Sequence, residues 1–148
     1  MEKIKNPSVI LLDGNQRSAL AATRSLGKKG IAVVVGDERG KSLASSSRYC
    51  QRSFDYPSPD SDAEAFLRAV LEISGRYDRS VLFPMTDVTM NEILLHRNLL
   101  PGNVLIPFSD HLRYDALSDK ENLFRQAKKL SIPTVGWRIQ RTANGSPS

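Results

Sequence analysis

One stretch near the start of the chain, VILLDGNQRSALAATRSLGKKGIAVVVGDE (Val9 to Glu38), constrains the fold more than any other. A short apolar run leads through a glycine turn into an amphipathic segment, and a second apolar run rich in β-branched residues follows. The middle segment has helical spacing, because four of its residues share one face: Ala19, Ala22, Thr23 and Leu26. A strand, a helix and a strand in this order predict a βαβ unit with parallel strands and a right-handed crossover.

Further apolar runs extend this unit into a larger sheet. The four runs are Ser8 to Leu12, Ile31 to Gly36, Ser80 to Pro84 and Asn103 to Pro107. None alternates with polar residues, which is typical of strands covered on both faces of a parallel sheet. A fifth, short strand is expected around Arg52 to Phe54. The sequence therefore predicts an α/β fold: a Rossmann-like, doubly wound, mainly parallel sheet of about four to five strands flanked by helices.

The helices after the first are marked by capping signals and apolar stripes. Ser61 and Glu64 match a capping box before a helix whose stripe is Phe66, Leu67, Val70 and Ile73. A third helix is expected at about Asp87 to Leu99. A second capping box, Ser118 to Glu121, opens a last helix that presents Leu123, Phe124, Ala127 and Leu130.

The glycine turn departs from the dinucleotide-binding pattern. That pattern requires G-x-G-x-x-G, and the frame here is Gly14-Asn15-Gln16-Arg17-Ser18-Ala19. Gln16 replaces the glycine that gives the pyrophosphate room, although Asp37 stands where a ribose-binding acid would. The Walker A pattern also fails, because no Gly-Lys-Ser/Thr follows. The pattern therefore argues against a classical NAD site, but the turn remains a helix N-terminus that suits an anion.

Polar residues are expected to gather at the carboxyl edge of the sheet, where open α/β folds bind ligands. The long connection Arg39 to Ser61 is expected to fold back over this crevice. The candidate substrate-binding residues are Gly14, Asn15, Arg17, Ser18, Asp37, Arg48, Thr86 and Asp87. Structural roles stay open for most of them: helix capping for Asn15, Ser18, Thr86 and Asp87, solvation for Arg17, and a surface ion pair for Arg48.

No catalytic or metal-binding constellation stands out. His96 and His111 lie far apart without ligand spacing, and Cys50 has no neighbouring His or Lys to activate its thiol. The net charge is +5, but the basic residues are scattered singly or in pairs, unlike a nucleic-acid-binding stripe. A single cysteine and the lack of a long apolar run predict a reduced, cytoplasmic setting without a membrane partner.

Four landmarks in order resemble the N-terminal half of ATP-grasp carboxylate–amine ligases of the carbamoyl-phosphate-synthase-like group. They are LLDGNQRSALAATRSLGKKGIAVVVGD, SSSRYC, PMTD and LSDKENLFRQAKKLSIPT, spanning most of the chain. The resemblance implies a pre-ATP-grasp domain over residues 1–117 and a linker helix over residues 118–134. Residues 135–148 are expected to form a disordered tail, because they are polar and have too little apolar content to pack. The resemblance also implies that Lys120 contacts ATP, with a solvated first-turn lysine as the alternative.

The same resemblance implies a reaction and the parts that would perform it. The intact enzyme would use ATP and Mg²⁺ to convert a small carboxylate into an acylphosphate, which an amine then attacks. The ATP-clamping catalytic domain, in cis or as a separate chain, would hold the nucleotide, so this chain alone is expected to be inactive and to bind neither ATP nor Mg²⁺ tightly. The alternatives are a stand-alone module that binds a nucleotide or an anion, and the interaction subunit of a split ligase. A homodimer is compatible with the sequence.

Overall fold

The computed structural model describes Ile4 and residues 8–134, and within them five strands form one sheet. The strands are β1 (Ser8–Leu11), β2 (Ala32–Asp37), β3 (Cys50–Asp55), β4 (Ser80–Phe83) and β5 (Val104–Leu105). Their order is β3-β2-β1-β4-β5, and every pairing between them is parallel. The order reverses at β1, so both of its neighbours, β2 and β4, follow it in sequence. The predicted doubly wound, Rossmann-like α/β fold is confirmed.

Helices follow the strands as the periodicity predicts. They are α1 (Arg17–Lys28), α2 (Pro59–Gly75), α3 (Asp87–Leu95), α4 (His111–Ser118) and α5 (Lys120–Lys129). A short 3₁₀ turn, Arg97–Leu99, completes the helical stretch predicted to end at Leu99. None of these helices, among the residues described, has the length and apolar content needed to cross a membrane.

The core lies on both faces of the sheet, as continuous apolar strands require. On one face, Leu11, Val33 and Val35 pack with Ala19 of α1 and with Ala44. On the opposite face, the paired residues Ile10, Val34 and Leu82 are fully buried. The helices α2 and α3 contact each other; α2 buries its predicted apolar stripe, and α3 buries Met90, Ile93 and Leu94.

Both predicted capping boxes are displaced from the residues that cap in the structure. Helix α2 begins at Pro59 after Ser58, and a kink at Asp62 (φ −154°, ψ 81°) interrupts it. The Asp62 carboxylate, rather than the Ser61 hydroxyl, accepts the Ala65 N–H at 2.9 Å. In α5, Asp119 rather than Ser118 is the N-cap, accepting the Glu121 N–H at 2.8 Å. In each case an Asp next to the predicted Ser takes its role, because the two residue types cap about equally well.

The chain divides into two compact units, the first up to His111 and the second from Leu112. This division falls before the predicted boundary between residues 117 and 118. The second unit contains α5, whose apolar residues Leu123 and Leu130 are exposed rather than buried. The predicted disordered tail, residues 135–148, lies outside the described residues.

Candidate functional site

A cleft of about 430 Å³ lies at the carboxyl edge of the sheet. Its walls come from the segments that follow β1, β2, β3 and β4, because parallel strands end at the same edge. It is lined by Asp13, Asn15, Gln16, Asp37, Glu38, Arg39, Tyr56, Ser58, Asp60, Thr86, Val88 and Thr89. Three of the eight predicted substrate-binding residues, Asn15, Asp37 and Thr86, thus line one concave site.

The glycine turn is fixed in place by backbone contacts on both sides. The Gly14 N–H donates to the carbonyl of Gly36 at 3.1 Å, and the Gly14 carbonyl accepts the Ala44 N–H at 2.9 Å. A Cβ at position 14 would overlap the Ser42 Oγ and lie 2.7 Å from Val35 Cγ1. Gly14 is therefore required by close packing of the connection after β2 against the turn, and not by a bound phosphate.

Asp13, which the sequence analysis did not single out, organises the cleft. Its backbone has φ 58°, a left-handed conformation that Asp tolerates better than most residues. Its Oδ2 accepts the N–H groups of Met85 and Thr86, both at 2.9 Å, and the Thr89 hydroxyl at 2.6 Å. A β1-end carboxylate thereby ties down the N-terminus of α3, whose partial positive charge favours it.

Tyr56 completes the Asp13 cluster from the far side of the cleft. Its hydroxyl accepts the Asp13 N–H at 2.8 Å and donates to Asp13 Oδ1 at 3.1 Å. The side chain is only 3% exposed. Burial first, and the neighbouring Asp13 carboxylate second, raise the pKa of the Tyr56 hydroxyl well above its usual value. The hydroxyl therefore keeps its proton and serves as a permanent donor to Asp13.

Asp37 and Asn15 form a second polar pair in the cleft. Asp37 is 6% exposed, and its carboxylate accepts both the backbone N–H and the side-chain amide of Asn15, at 2.8 and 2.9 Å. It also accepts the Arg39 N–H at 3.0 Å. The Asn15 carbonyl oxygen in turn accepts the Leu43 N–H at 3.2 Å. Asn15 is thus held by Asp37 and does not cap α1.

The N-terminus of α1 is left open toward solvent. Gln16 is its N-cap residue, in extended conformation and without a side-chain capping bond, and the first turn carries no acidic residue. Arg17 and Ser18 in this turn are exposed. Free N–H groups, the positive end of the helix dipole and one arginine together suit a carboxylate or a phosphate.

Thr86 and Asp87 lie at the start of α3. Thr86 is the N-cap, and its hydroxyl accepts the Thr89 N–H at 3.4 Å, so the capping role considered for it is present. Thr86 also lines the cleft, whereas Asp87 is the exposed first residue of the helix. Thr86 thus caps α3 and also forms part of the cleft wall.

Arg48 is not among the residues that line this cleft, although Arg39, Tyr56 and Ser58 of the same long connection are. Arg48 lines a different cleft, beside Ser8 and Ala32 at the amino ends of β1 and β2. Its Nη2 donates to the Tyr49 hydroxyl at 2.9 Å, and its guanidinium lies 4.9 Å from the centre of the Tyr49 ring. The partner of Arg48 is thus a tyrosine and not the carboxylate of a surface ion pair.

Lys120 belongs to the second compact unit and is the exposed first residue of α5. The charged groups described near it stabilise α5, since Asp119 caps its N-terminus and Arg125 pairs with Glu121. Its assignment as an ATP contact stays a prediction.

Neither the thiol nor the acidic groups of the described residues form a reactive centre. Burial raises the pKa of the Cys50 thiol, which keeps it protonated at neutral pH. Across Ile4 and residues 8–134, no group of three or more His, Cys, Asp or Glu is arranged to hold a metal ion. The cleft at the carboxyl edge is lined mainly by polar side chains, several of which hydrogen-bond to one another.

Fold and site together define a Rossmann-like α/β domain with a polar ligand cleft at the point where the strand order reverses. Neither a protein-family model nor a curated protein matches the sequence. Solved structures do match its fold. An L-amino acid ligase from Bacillus licheniformis covers 100% of the chain, with a TM-score of 0.64 and 11% sequence identity.

Two further structures show the same relationship. The N5-carboxyaminoimidazole synthetase of Staphylococcus aureus, solved with ADP, matches 97% of the chain with a TM-score of 0.65 and 15% identity. The biotin carboxylase domain of a single-chain bacterial carboxylase matches 86% with a TM-score of 0.58 and 16% identity. The chain spans only 36%, 35% and 30% of these three proteins, respectively. The structural neighbours are ATP-grasp ligases, and the chain has the fold of their N-terminal part.

Proposed function

We propose that the chain is the N-terminal, substrate-side domain of an ATP-dependent carboxylate–amine ligase. The observation that carries this proposal is the match of nearly the whole chain to about a third of several ligases. Such a match to one end of larger enzymes is expected of a domain that works beside a catalytic portion. The sequence landmarks that resemble the same enzymes support it independently.

The proposed substrate is a small carboxylate that binds at the open N-terminus of α1. The exposed N–H groups of the first turn and Arg17 supply donors, and Thr86 faces the same cleft. The Asp13 and Asp37 carboxylates already accept hydrogen bonds from the protein, so they hold the cleft in shape and leave the donors to the ligand. Because the cleft has its shape before the ligand binds, less conformational entropy is lost on association.

ATP and Mg²⁺ are proposed to bind mainly outside this domain. No group of three or more His, Cys, Asp or Glu in the described portion could hold the metal, and Asp13 and Asp37 are occupied by protein donors. Nucleotide and metal are therefore assigned to the partner catalytic portion, in cis or as a separate chain, with Lys120 as the one contact offered from here. The chain alone is expected to lack ligase activity.

The test of the substrate site is a titration of ¹⁵N-labelled protein with an L-amino acid and with succinate, followed by amide chemical shifts. Saturable shifts of Gln16, Arg17 and Ser18 are expected. Arg17→Ala should weaken binding about tenfold, because a charge-assisted hydrogen bond is lost. Arg68→Ala is the matched control, since Arg68 pairs with Glu64 on the surface of α2. Equal effects of both variants, or no shifts at α1, would count against the site.

Calorimetric titration with Mg·ATP separates this proposal from the stand-alone nucleotide-binding module. A substrate-side domain is expected to give no measurable heat, with wild type and Lys120→Ala alike. Micromolar binding that Lys120→Ala abolishes would show a complete nucleotide site in this chain, and the regulatory module would replace the ligase domain as the preferred function.

A further inference from the structure

A cleft of about 820 Å³ lies at the amino edge of the sheet, opposite the proposed substrate site. Its floor is apolar and partly exposed, formed by Val9, Ile31 and Val81. Arg48, Tyr49 and Gln51 provide polar groups at its side. A volume of this size accommodates a small organic ligand, since such pockets typically measure about 300–1,000 Å³.

A second cleft, of about 470 Å³, shares Arg48 and Tyr49 with the first as a common wall. Its other lining residues are Arg24, Lys28, Ser46 and Ser47. Three cations and three hydroxyl-bearing side chains therefore surround it, and no Asp or Glu is among the described residues that line either cleft. A local excess of positive charge of this kind attracts anions.

Arg48 lines both clefts and contacts the neighbouring Tyr49. Tyr49 lies against Gly27 of α1 so closely that a Cβ at position 27 would come within 2.7 Å of Tyr49 Cγ. The Tyr49 hydroxyl accepts one N–H of Arg48, and the guanidinium also lies beside the ring. The other guanidinium donors have no described protein acceptor. A guanidinium with several such donors can make more than one charge-assisted hydrogen bond to the same anion.

We propose that these two clefts form a second ligand site, which binds a phosphate monoester with an apolar body. The phosphate lies among Arg24, Lys28 and Arg48, and the apolar part lies on Val9, Ile31 and Val81. The carboxyl end of α1 opposes an anion through its dipole, and Lys28 in the last turn of the helix offsets that effect. The site is separate from the carboxyl-edge cleft and does not depend on the function proposed there.

Phenyl phosphate is the probe, with inorganic phosphate as the comparison, in an amide chemical-shift titration of the full chain. Saturable shifts are expected at residues 24–30 and 46–49, with phenyl phosphate binding several-fold more tightly because its ring covers the apolar floor. Binding should weaken as salt is raised, since the attraction is electrostatic.

Three variants make the test specific. Arg48→Ala should weaken binding about tenfold through loss of a charge-assisted hydrogen bond. Tyr49→Phe keeps the ring against Gly27 but removes the hydroxyl that orients Arg48, so a smaller, few-fold loss is expected. Arg68→Ala removes the same charge elsewhere and should leave the affinity unchanged.

Three outcomes would overturn the proposal: absence of saturation up to about 10 mM, shifts confined to residues 14–18, or equal weakening by Arg48→Ala and Arg68→Ala.

Discussion

Asp13 connects the end of β1 to the start of α3 through one carboxylate oxygen, Oδ2, which has three donors. Asp13→Asn keeps the size of the side chain and tolerates φ 58°, so it isolates the loss of charge and of an acceptor. We expect a loss of about 2–4 kcal/mol in the free energy of unfolding. The hydrogen bonds to the charged carboxylate are lost, or the amide NH₂ group of Asn is placed opposite the N–H and O–H groups that Oδ2 accepts.

Urea denaturation measures this loss. Asp78→Asn is the control, because Asp78 is an exposed carboxylate, and its substitution should change stability by less than about 0.5 kcal/mol. Similar effects of the two substitutions would show that the Asp13 cluster does not stabilise the fold.

Because of Tyr56, the free energy of unfolding is expected to fall as pH rises in the alkaline range. The raised pKa of Tyr56 means that the folded state keeps a proton which the unfolded state loses above pH of about 10. Its contribution to stability is fully present below that pH and declines as pH rises further. In Tyr56→Phe this decline should be shallower than in wild type by about 1.4 kcal/mol per pH unit. Urea denaturation at several alkaline pH values tests this, and identical slopes would contradict it.

Gly14→Ala and Gly75→Ala are expected to change the free energy of unfolding in opposite directions. A Cβ on Gly14 would overlap Ser42 and crowd Val35, so Gly14→Ala should cost about 1–3 kcal/mol of unfolding free energy. A Cβ on Gly75, the last residue of α2, meets nothing within 4 Å, so Gly75→Ala should be neutral or stabilising. Thermal unfolding compares them. Adding Ser42→Gly to Gly14→Ala should restore part of the loss, and no restoration would argue against the steric cause.

Helix α5 depends on its N-cap more than a buried helix does, because none of its residues is buried. Asp119 accepts the N–H groups of Glu121 and Asn122, at 2.8 and 3.4 Å. Asp119→Ala should therefore lower the local stability of α5 by about 1 kcal/mol. Hydrogen exchange of the amides of residues 123–128 reports this change. Ser118→Ala is the control, and a larger effect of that variant would restore the predicted capping box.

The strands and helices of this protein are predicted well from sequence where the local pattern of apolar residues determines them. The four apolar runs correspond to β1, β2, β4 and β5, and β3 contains the short strand expected around Arg52 to Phe54. The stripe of α1 is buried at Ala19 and Thr23, as its spacing requires. The caps were misplaced by one residue because Ser61 and Ser118 each precede an Asp of equal capping ability. Local patterns do not discriminate between such neighbours.

The site was harder to predict because tertiary contacts decide it. The packing of Tyr49 against Gly27 keeps Arg48 at the amino edge, and no local pattern records that contact. Asp13 and Tyr56 are far apart in sequence and carry no motif, so their hydrogen bonds emerge only from the folded chain. An acidic residue directly before the glycine turn was the one available signal for Asp13. The role of such a residue can be recognised only once the strand order is known, because the strand order brings its hydrogen-bond partners beside it.

The whole molecule divides at His111, and this division can be tested by truncation. The first unit contains the complete sheet and every residue of the carboxyl-edge cleft. A fragment of residues 1–111 should therefore unfold cooperatively and keep a midpoint near that of the full chain, as measured by circular dichroism. A fragment of residues 1–99 lacks β5 and the buried Ile106, so it should lose cooperative unfolding. If the longer fragment also unfolds without cooperativity, α4 and α5 are part of the folding unit and the division at His111 is wrong.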